Sequence, residues 1–374
     1  MEKERIAWVD LLKIIACILV VFSHNCDPYV AVFDSDRSTF LAGVFSGSLT
    51  RSSVPLFVMM TGVLLLPTTR TMSQFYRRRI GRILPPLIFW SAALPLLYYL
   101  YINRIPLSTN PAINPADYTL FETLRRAVTF IFNFNYTTTP LWYLYMLIGL
   151  YLIIPLLNAW LVQATRKELR LFLSVWFITL FIPYIKMFAP VLGYAGNYGN
   201  MGIFGICDWN EYGTFYYISG FIGYLVLAYY LVTYPLKISL AKTLLYGIPL
   251  FLIGYAITSF GFIEVQRYYP GNYAYLEIIW FFTGINVFMM TLPIFVIIQK
   301  LPVHPNKWLA RAASLTFGIY LCHFFFVQVG YDMLTPLTLP VPVKIILGAI
   351  FAFSVSAILV AVMKQWRPTR LFVE

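Results

Sequence analysis

The chain has 374 residues, of which 60% are hydrophobic, 18% aromatic and only 11% charged, and its formal net charge is +12. A soluble core of this size cannot bury so much apolar surface, so the composition excludes a soluble globular protein. The positive charge does not indicate a nucleic-acid partner, because a membrane protein concentrates Lys and Arg in its cytoplasmic loops.

Apolar stretches of about 20 residues predict ten transmembrane helices. They cover approximately residues 6–24, 50–67, 84–103, 140–162, 170–189, 213–234, 243–263, 276–299, 312–330 and 343–363. With the N-terminus inside, eighteen of the 27 basic residues fall on the cytoplasmic side, eight fall near the outer side, and Lys13 lies within the membrane. The sequence therefore predicts an all-α polytopic membrane protein with about ten transmembrane helices, both termini cytoplasmic, and one transmembrane domain over residues 1–374.

The first predicted helix contains two ionisable residues, Lys13 and His24. Eleven residues at about 100° each return to nearly the same face, so the two side chains share a face about 16 Å apart along the axis. Ionisable residues inside a membrane are candidate functional sites. His24, near the outer end, suits a general base, or its ring is simply hydrated at the interface. Lys13 either serves a ligand, pairs with Asp10 three residues earlier, or extends to the inner interface.

A basic run, Tyr-Arg-Arg-Arg-Ile-Gly-Arg over residues 76–82, leads into the third predicted helix. Arg79 and Arg82 are three residues apart and share a face at the cytoplasmic end. Their planar guanidinium groups suit phosphate oxygens. A positive-inside anchor needs only the number of charges, so the run is equally compatible with anchoring alone.

The longest predicted connections, roughly 104–139 and 190–212, lie on the outer side. Their Asn, Tyr and Trp residues suit a hydroxyl-rich ligand, and they equally suit an aromatic belt at the membrane interface with loop-forming Asn. The residues concerned are Asn133, Asn135, Tyr136, Tyr194, Asn197, Tyr198 and Trp209.

The remaining histidine and cysteine residues leave alternatives open. His323, near the middle of the ninth predicted helix, is either a pocket residue or a hydrogen-bonding residue between helices. Cys17 and Cys322 are expected to be packing residues, whereas Cys26 and Cys207 fall on the outer side, where they either pair or stay free. No spacing of His, Cys and carboxylate residues matches a metal site, so no metal is expected.

Taken together, these motifs resemble the integral-membrane acyltransferase-3 family, which modifies surface sugars and related acceptors. Lys13 and His24 match its signature of Arg or Lys, ten residues and His, and Arg79-Ile80-Gly81-Arg82 matches its Arg-x-x-Arg element at the third helix. Further similarity lies in residues 54–57, 61–65, 141–144 and 320–323. Thr61 and Lys13 stand where Ser and Arg are commoner. The chain looks closest to the short, stand-alone members that act on lipid-linked or polymeric glycans.

The resemblance implies a membrane O-acyltransferase, with acetyl as the expected group, that uses cytoplasmic acyl-CoA such as acetyl-CoA as co-substrate. The acceptor is then a hydroxyl of an extracytoplasmic or lipid-linked surface glycan, in the lipid of the bacterial inner membrane. His24 is implied as the general base and Lys13, Arg79 and Arg82 as CoA-binding residues. Candidate substrate or pocket residues are Asp10, Trp142 and His323. Direct transfer and an acyl-histidine intermediate both stay open.

Two other classes of protein are compatible with the residues alone. A transporter or flippase of a lipid-linked sugar would also use ten helices with intramembrane charge, but more often shows an internal repeat and broken helices. A structural or sensory membrane protein would not require His24.

Overall fold

The chain folds into helices, as the sequence predicts. The computed structural model describes residues 6–104, 110–132, 135–193, 203–207 and 210–374, and in these ranges the only strand-like pairing is an isolated bridge between Cys207 and Asn210. The prediction of an all-α polytopic membrane protein is confirmed, since nine described helical segments are long and apolar enough to cross a membrane. Five residues of the predicted outer connections lie outside the described ranges: Asn133, Tyr194, Asn197, Tyr198 and Trp209.

Fifteen α-helices occupy the described ranges. They are α1 (Ala7–Val30), α2 (Arg37–Ser48), α3 (Ser53–Leu65), α4 (Met72–Arg104), α5 (Leu120–Val128), α6 (Trp142–Leu161), α7 (Arg166–Thr179), α8 (Ile182–Phe188), α9 (Ile222–Thr233), α10 (Leu240–Tyr268), α11 (Tyr273–Trp280), α12 (Ile285–Lys300), α13 (Lys307–Leu334), α14 (Val341–Met363) and α15 (Arg367–Arg370). The sequence pattern does not predict α2, because Ser, Thr and Gly lower its hydropathy. It also overestimates α9, whose 12 residues span about 18 Å, less than the apolar core of a bilayer.

Contacts divide the chain into two compact units. The first unit contains Met1–Thr50, Arg70–Ile153 and Val303–Glu374, and the second contains Arg51–Thr69 and Ile154–Pro302. Every residue that the sequence analysis selected as a candidate site residue falls in the first unit. The prediction of a single transmembrane domain over residues 1–374 stays a prediction.

In the first unit, α1 and α13 pack side by side in the same direction. The Cys17 thiol contacts the Thr316 carbonyl oxygen at 3.6 Å, across 299 residues of sequence. Seven residues further along both helices, the rings of His24 and His323 lie 5.3 Å apart between centroids. The two contacts are seven residues apart on both helices, so α1 and α13 are parallel and advance together.

Helix α4 runs parallel to α13 as well, whereas α14 is antiparallel to it. The Tyr98 hydroxyl donates to the Phe324 carbonyl at 3.1 Å, and the Tyr101 hydroxyl donates to Asp332 Oδ2 at 3.1 Å, so both helices advance together. On α14, Val360 lies against Gly318, and Phe351 lies against Gly330. The N-terminal ends of α1, α4 and α13 therefore share one side of this unit.

The parallel pairing constrains the number of membrane crossings. Two parallel helices in one membrane are separated by an odd number of crossings. Six long apolar segments lie between α1 and α13 in the described part of the chain, and the shorter apolar helix α9 makes seven. The pairing thus supports counting α9 with the crossings, which restores the predicted total of ten.

The second unit is organised around α10 and α12, which pack antiparallel. Gly254 on α10 faces the backbone oxygen of Asn286 on α12, so the two helices approach closely. The Asn286 side-chain amide donates to Thr258 Oγ1 at 2.8 Å and to the Ile279 carbonyl at 2.7 Å. These bonds join α10 to α12 and the end of α11, and they satisfy polar atoms that lipid would leave unpaired.

A close approach of α2 to the C-terminal end of α1 depends on Gly43. A Cβ atom at this position would lie 2.8 Å from the Val30 nitrogen and 2.9 Å from the Tyr29 carbonyl carbon, both backbone atoms that cannot rotate away. We expect Gly43→Ala to lower the free energy of unfolding by about 1–3 kcal/mol, the usual cost of overpacking. Thermal unfolding in detergent measures this, with Gly149→Ala as the matched control, because a Cβ there meets nothing within 4 Å. Equal melting temperatures for the two variants would contradict the close packing.

The shared side of α1, α4 and α13 is expected to be cytoplasmic, because the basic residues concentrate there. In a background without native cysteines, Arg78→Cys and Lys307→Cys should react with an impermeant maleimide only after the cells are opened. Leu337→Cys, beyond the C-terminal end of α13, should react in intact cells. Labelling of position 78 in intact cells would show that this side faces outward and would contradict the predicted orientation.

Candidate active site

Lys13 forms an ion pair with Asp10 within α1. Its Nζ lies 3.0 Å from Asp10 Oδ1, and the Asp10 residue is only 3% exposed. A buried carboxylate is costly without a partner, and the Lys13 ammonium group supplies one to Asp10. The Lys13 side chain is itself 30% exposed, so part of it lies outside the packed interior, where a second partner can contact it. The pairing interpretation and the ligand interpretation are therefore compatible.

His24 is oriented by a carboxylate one turn further along α1. Its Nδ1 lies 2.8 Å from Asp27 Oδ2. An ionised carboxylate only accepts hydrogen bonds, so the Nδ1 atom carries the proton, and Nε2 of the neutral ring has a free lone pair. No residue of the described ranges forms a hydrogen bond with that Nε2. This is the arrangement of a general base held in one tautomer.

His323 is brought to His24 by the packing of α13 on α1. The His323 residue is 0% exposed, and its Nδ1 donates to the Tyr320 carbonyl at 2.7 Å, which requires the proton on Nδ1. Its Nε2 atom is buried and has no hydrogen-bond partner. The hydrogen bond of His323 is therefore formed within α13 and does not join two helices, and its role as a pocket residue stays a prediction.

Aromatic rings enclose this histidine pair. Phe324 contacts the His24 ring edge to face at 5.1 Å between centroids, and Tyr136 lies 5.1 Å from Phe324. Tyr320, whose hydroxyl donates to the Pro140 carbonyl, lies 5.8 Å from the His323 ring. Such an apolar wall lowers the local dielectric constant, which strengthens every electrostatic interaction at the imidazoles.

Trp142 begins α6 next to the aromatic rings of the site. Its ring lies 6.3 Å from that of Tyr143, which in turn lies 5.5 Å from the Tyr320 ring. Tyr320 contacts the His323 ring, so a series of ring contacts joins Trp142 to His323. The role of Trp142 as a substrate or pocket residue stays a prediction.

A buried polar network extends from Tyr136 toward the C-terminal end of α13. The Asn110 amide donates to the Tyr136 hydroxyl at 3.0 Å and to Gln328 Oε1 at 2.7 Å. The Gln328 amide donates to Asp332 Oδ2 at 2.7 Å, and that oxygen also accepts from Tyr101. Sequence reasoning does not find Asn110, Gln328 or Asp332. Only the spacing of Gln328 and Asp332, four residues apart on one helix, hints at their pairing.

Asn135 of the outer connection and Asp27 of α1 illustrate two different outcomes. Asn135 caps the short 3₁₀ helix Tyr136–Leu141, with its Oδ1 accepting from the Thr137 amide at 3.1 Å, which matches the loop-forming interpretation. Asp27 is absent from the sequence prediction, although a carboxylate three residues after a helical histidine is a recognisable pattern.

Arg79 and Arg82 lie near the N-terminal end of α4, on the same side of the unit as the start of α1. The Arg79 side chain is half-buried, and its Nε is buried without a hydrogen-bond partner, whereas Arg82 is exposed. Both guanidinium groups lie near Tyr151 of α6. Tyr98 marks the level of the imidazoles on α4, and the sixteen residues from Arg82 to Tyr98 span roughly 24 Å. A ligand that contacted both the two arginines and the imidazoles would have to be long and thin.

The described residues include no group of three or more His, Cys, Asp or Glu side chains that could hold a metal ion. None of the four cysteines, all within the described ranges, forms a disulfide, so Cys26 and Cys207 are not paired with each other.

The model of the acyltransferase-3 family, which is described as an acyltransferase domain, matches residues 6–361. This is nearly the whole chain. No curated protein and no solved structure matches the chain.

Proposed function

Because the chain belongs to the acyltransferase-3 family and is a multi-pass membrane acyltransferase, we propose that it transfers an acyl group from cytoplasmic acyl-CoA to a hydroxyl of a surface glycan. The expected acyl group is acetyl, the acceptor glycan is extracytoplasmic or lipid-linked, and the membrane is the bacterial inner membrane. The observation that carries the proposal is His24. Its Nδ1 is bound to Asp27 and its Nε2 is free, inside a wall of aromatic rings.

The basic residues at the other end of the same unit support an anionic donor. Arg79 offers an unpartnered, buried Nε, Arg82 lies one turn further on, and the Lys13 side chain is partly exposed. Acyl-CoA carries phosphates at one end and its thioester at the end of a long arm. Phosphates held by the two guanidinium groups would direct that arm past Lys13 toward His24.

The proposed reaction uses His24 Nε2 as the base. The acceptor oxygen attacks the thioester carbonyl carbon while its proton moves to Nε2, and the carbon–sulfur bond then breaks and releases the CoA thiolate toward the cytoplasm. Asp27 stabilises the imidazolium that forms, because its carboxylate already accepts from Nδ1. An acyl-histidine route would use the same Nε2 as a nucleophile. The acyl group thus reaches the outer side, while CoA does not cross the membrane.

The acceptor side is supported by the polar network at the C-terminal end of α13. Asn110, Gln328 and Asp332 are hydrogen-bonding side chains of the kind that sugar hydroxyls bind. They are linked to His24 through Tyr136 and Phe324. Mass spectrometry of surface glycans from matched cells with and without the protein tests the proposal, because the added mass identifies both the acyl group and the acceptor.

The donor site gives a prediction for Arg79. Arg79→Ala should weaken acyl-CoA binding by about tenfold or more, since one charge-assisted hydrogen bond is worth roughly 1.5–3 kcal/mol. Arg79→Lys should restore binding only in part, because Lys lacks the planar fork. Calorimetry with purified protein measures both. The matched control is Arg78→Ala, which removes an exposed arginine from the adjacent position of α4. If both Ala variants bind acyl-CoA like the wild type, the basic run serves only as an anchor.

The base assignment gives a prediction for His24 and Asp27. His24→Ala should lower kcat by about 10²–10⁴, the usual contribution of a general base, without a matching loss of acyl-CoA affinity. Asp27→Asn should also lower kcat by roughly 10² or more, because an Asn amide can donate to Nδ1 and move the ring proton to Nε2. His304→Ala, at an exposed position outside the helices, is the control. Near-normal turnover of His24→Ala in folded protein would overturn the assignment.

A further inference from the structure

The imidazole of His323 contains a polar atom that the proposed reaction does not yet use. Its Nε2 is buried and has no partner, and the residue is 0% exposed. The Nδ1 proton is committed to the Tyr320 carbonyl, so the Nε2 atom of the neutral ring only accepts. A buried acceptor without a donor is unfavourable, so it requires an explanation such as a functional role or a bound group that supplies the donor. This acceptor belongs to the ring that neighbours the proposed base.

The two imidazoles present the same kind of atom. His24 Nδ1 is engaged by Asp27, so its Nε2 is also a proton-free acceptor in the resting state. Two acceptors cannot bond to each other. A ligand that donates two hydrogens can satisfy both, and ring centroids 5.3 Å apart put both rings within reach of hydroxyls on adjacent carbon atoms. A water molecule also donates twice, but the attacking oxygen must take its place at His24.

We propose that Nε2 of His323 accepts a hydrogen bond from the hydroxyl adjacent to the one that is acylated, so that the two histidines together recognise a vicinal diol. His24 takes the proton of the reacting hydroxyl, and His323 binds its neighbour without exchanging a proton. The inference rests on the proposed function and narrows its acceptor class to sugars with two free neighbouring hydroxyls. His323 then determines specificity, since it selects which hydroxyl is presented to His24.

The surroundings of His323 favour recognition over proton transfer. A relay through His323 would place a positive charge on a ring that is fully buried beside Tyr320 and the His24 ring. The described groups nearest to it supply no carboxylate that accepts from it, in contrast to Asp27 at His24. A neutral acceptor can bind a hydroxyl there without that penalty.

The experiment compares acyl transfer from acetyl-CoA to methyl hexopyranosides and to their monodeoxy analogues. The position acylated in each parent sugar is located first by mass spectrometry, and the analogue lacking the neighbouring hydroxyl is then used as the second acceptor. The wild type should prefer the parent by roughly 10² or more in kcat/KM, because a site built to bind a hydroxyl rejects a substrate without it. His323→Phe should reduce that ratio to about one by slowing transfer to the parent only. His323→Gln, which keeps an acceptor oxygen, should retain part of the preference.

The controls separate the two proposals. His304→Gln should leave the ratio unchanged, and acyl-CoA affinity by calorimetry should be the same in all variants. If His323→Phe does not fold, His323→Met, which has no strong acceptor, replaces it. If the ratio of kcat/KM for the parent sugar to that for the deoxy analogue is unchanged in folded His323→Phe or His323→Met, His323 is a packing residue and the diol assignment is wrong. Equal loss of transfer to both sugars with intact acyl-CoA binding would make it part of the proton transfer and overturn the diol assignment. No transfer by the wild type to any of these sugars would instead contradict the proposed function, and the diol assignment with it.

Discussion

The parallel contact between α1 and α13 is the constraint on which the candidate site depends. It aligns Cys17 with Thr316 and, two turns later, His24 with His323. Neither histidine has a complete set of hydrogen bonds within its own helix. The pair is therefore a property of the interface between two segments at opposite ends of the chain, and any shift in register would separate the rings.

The polar groups of the site are held in ways that suit a low-dielectric environment. Asp10 is paired with Lys13, His24 with Asp27, and Gln328 with Asp332. Unpaired polar atoms are unfavourable where water cannot reach them, so each buried one is a candidate for contact with a ligand. The two in the first unit that bear on the proposed function are Arg79 Nε and His323 Nε2. They lie at opposite ends of the proposed path of the donor, which is where a ligand has to be recognised.

The same geometry supports the proposal that one helix unit serves substrates from both sides of a membrane. The arginines of α4 and the lysine of α1 lie toward one end, and the histidines lie toward the other, because all three helices run in one direction. Roughly 24 Å of helix separates Arg82 from the level of the imidazoles. A compact donor could not bridge that distance. A thioester on an extended arm could, and only its acyl group would need to reach the outer hydroxyl.

The sequence by itself determined the class of the protein and the interactions within each helix. Composition required a membrane protein, and 3.6 residues per turn placed Lys13 and His24 on one face and made Asp10 available to Lys13. It also predicted Arg79 and Arg82 as one face of α4. Such relations are local and follow from helix geometry alone. The tertiary structure decided the rest. The meeting of His24 with His323, the bond from Asn110 to Gln328 and the close approach at Gly43 depend on which helices pack together and in what register, and the apolar pattern of a membrane helix leaves both open because lipid and protein neighbours favour the same residues.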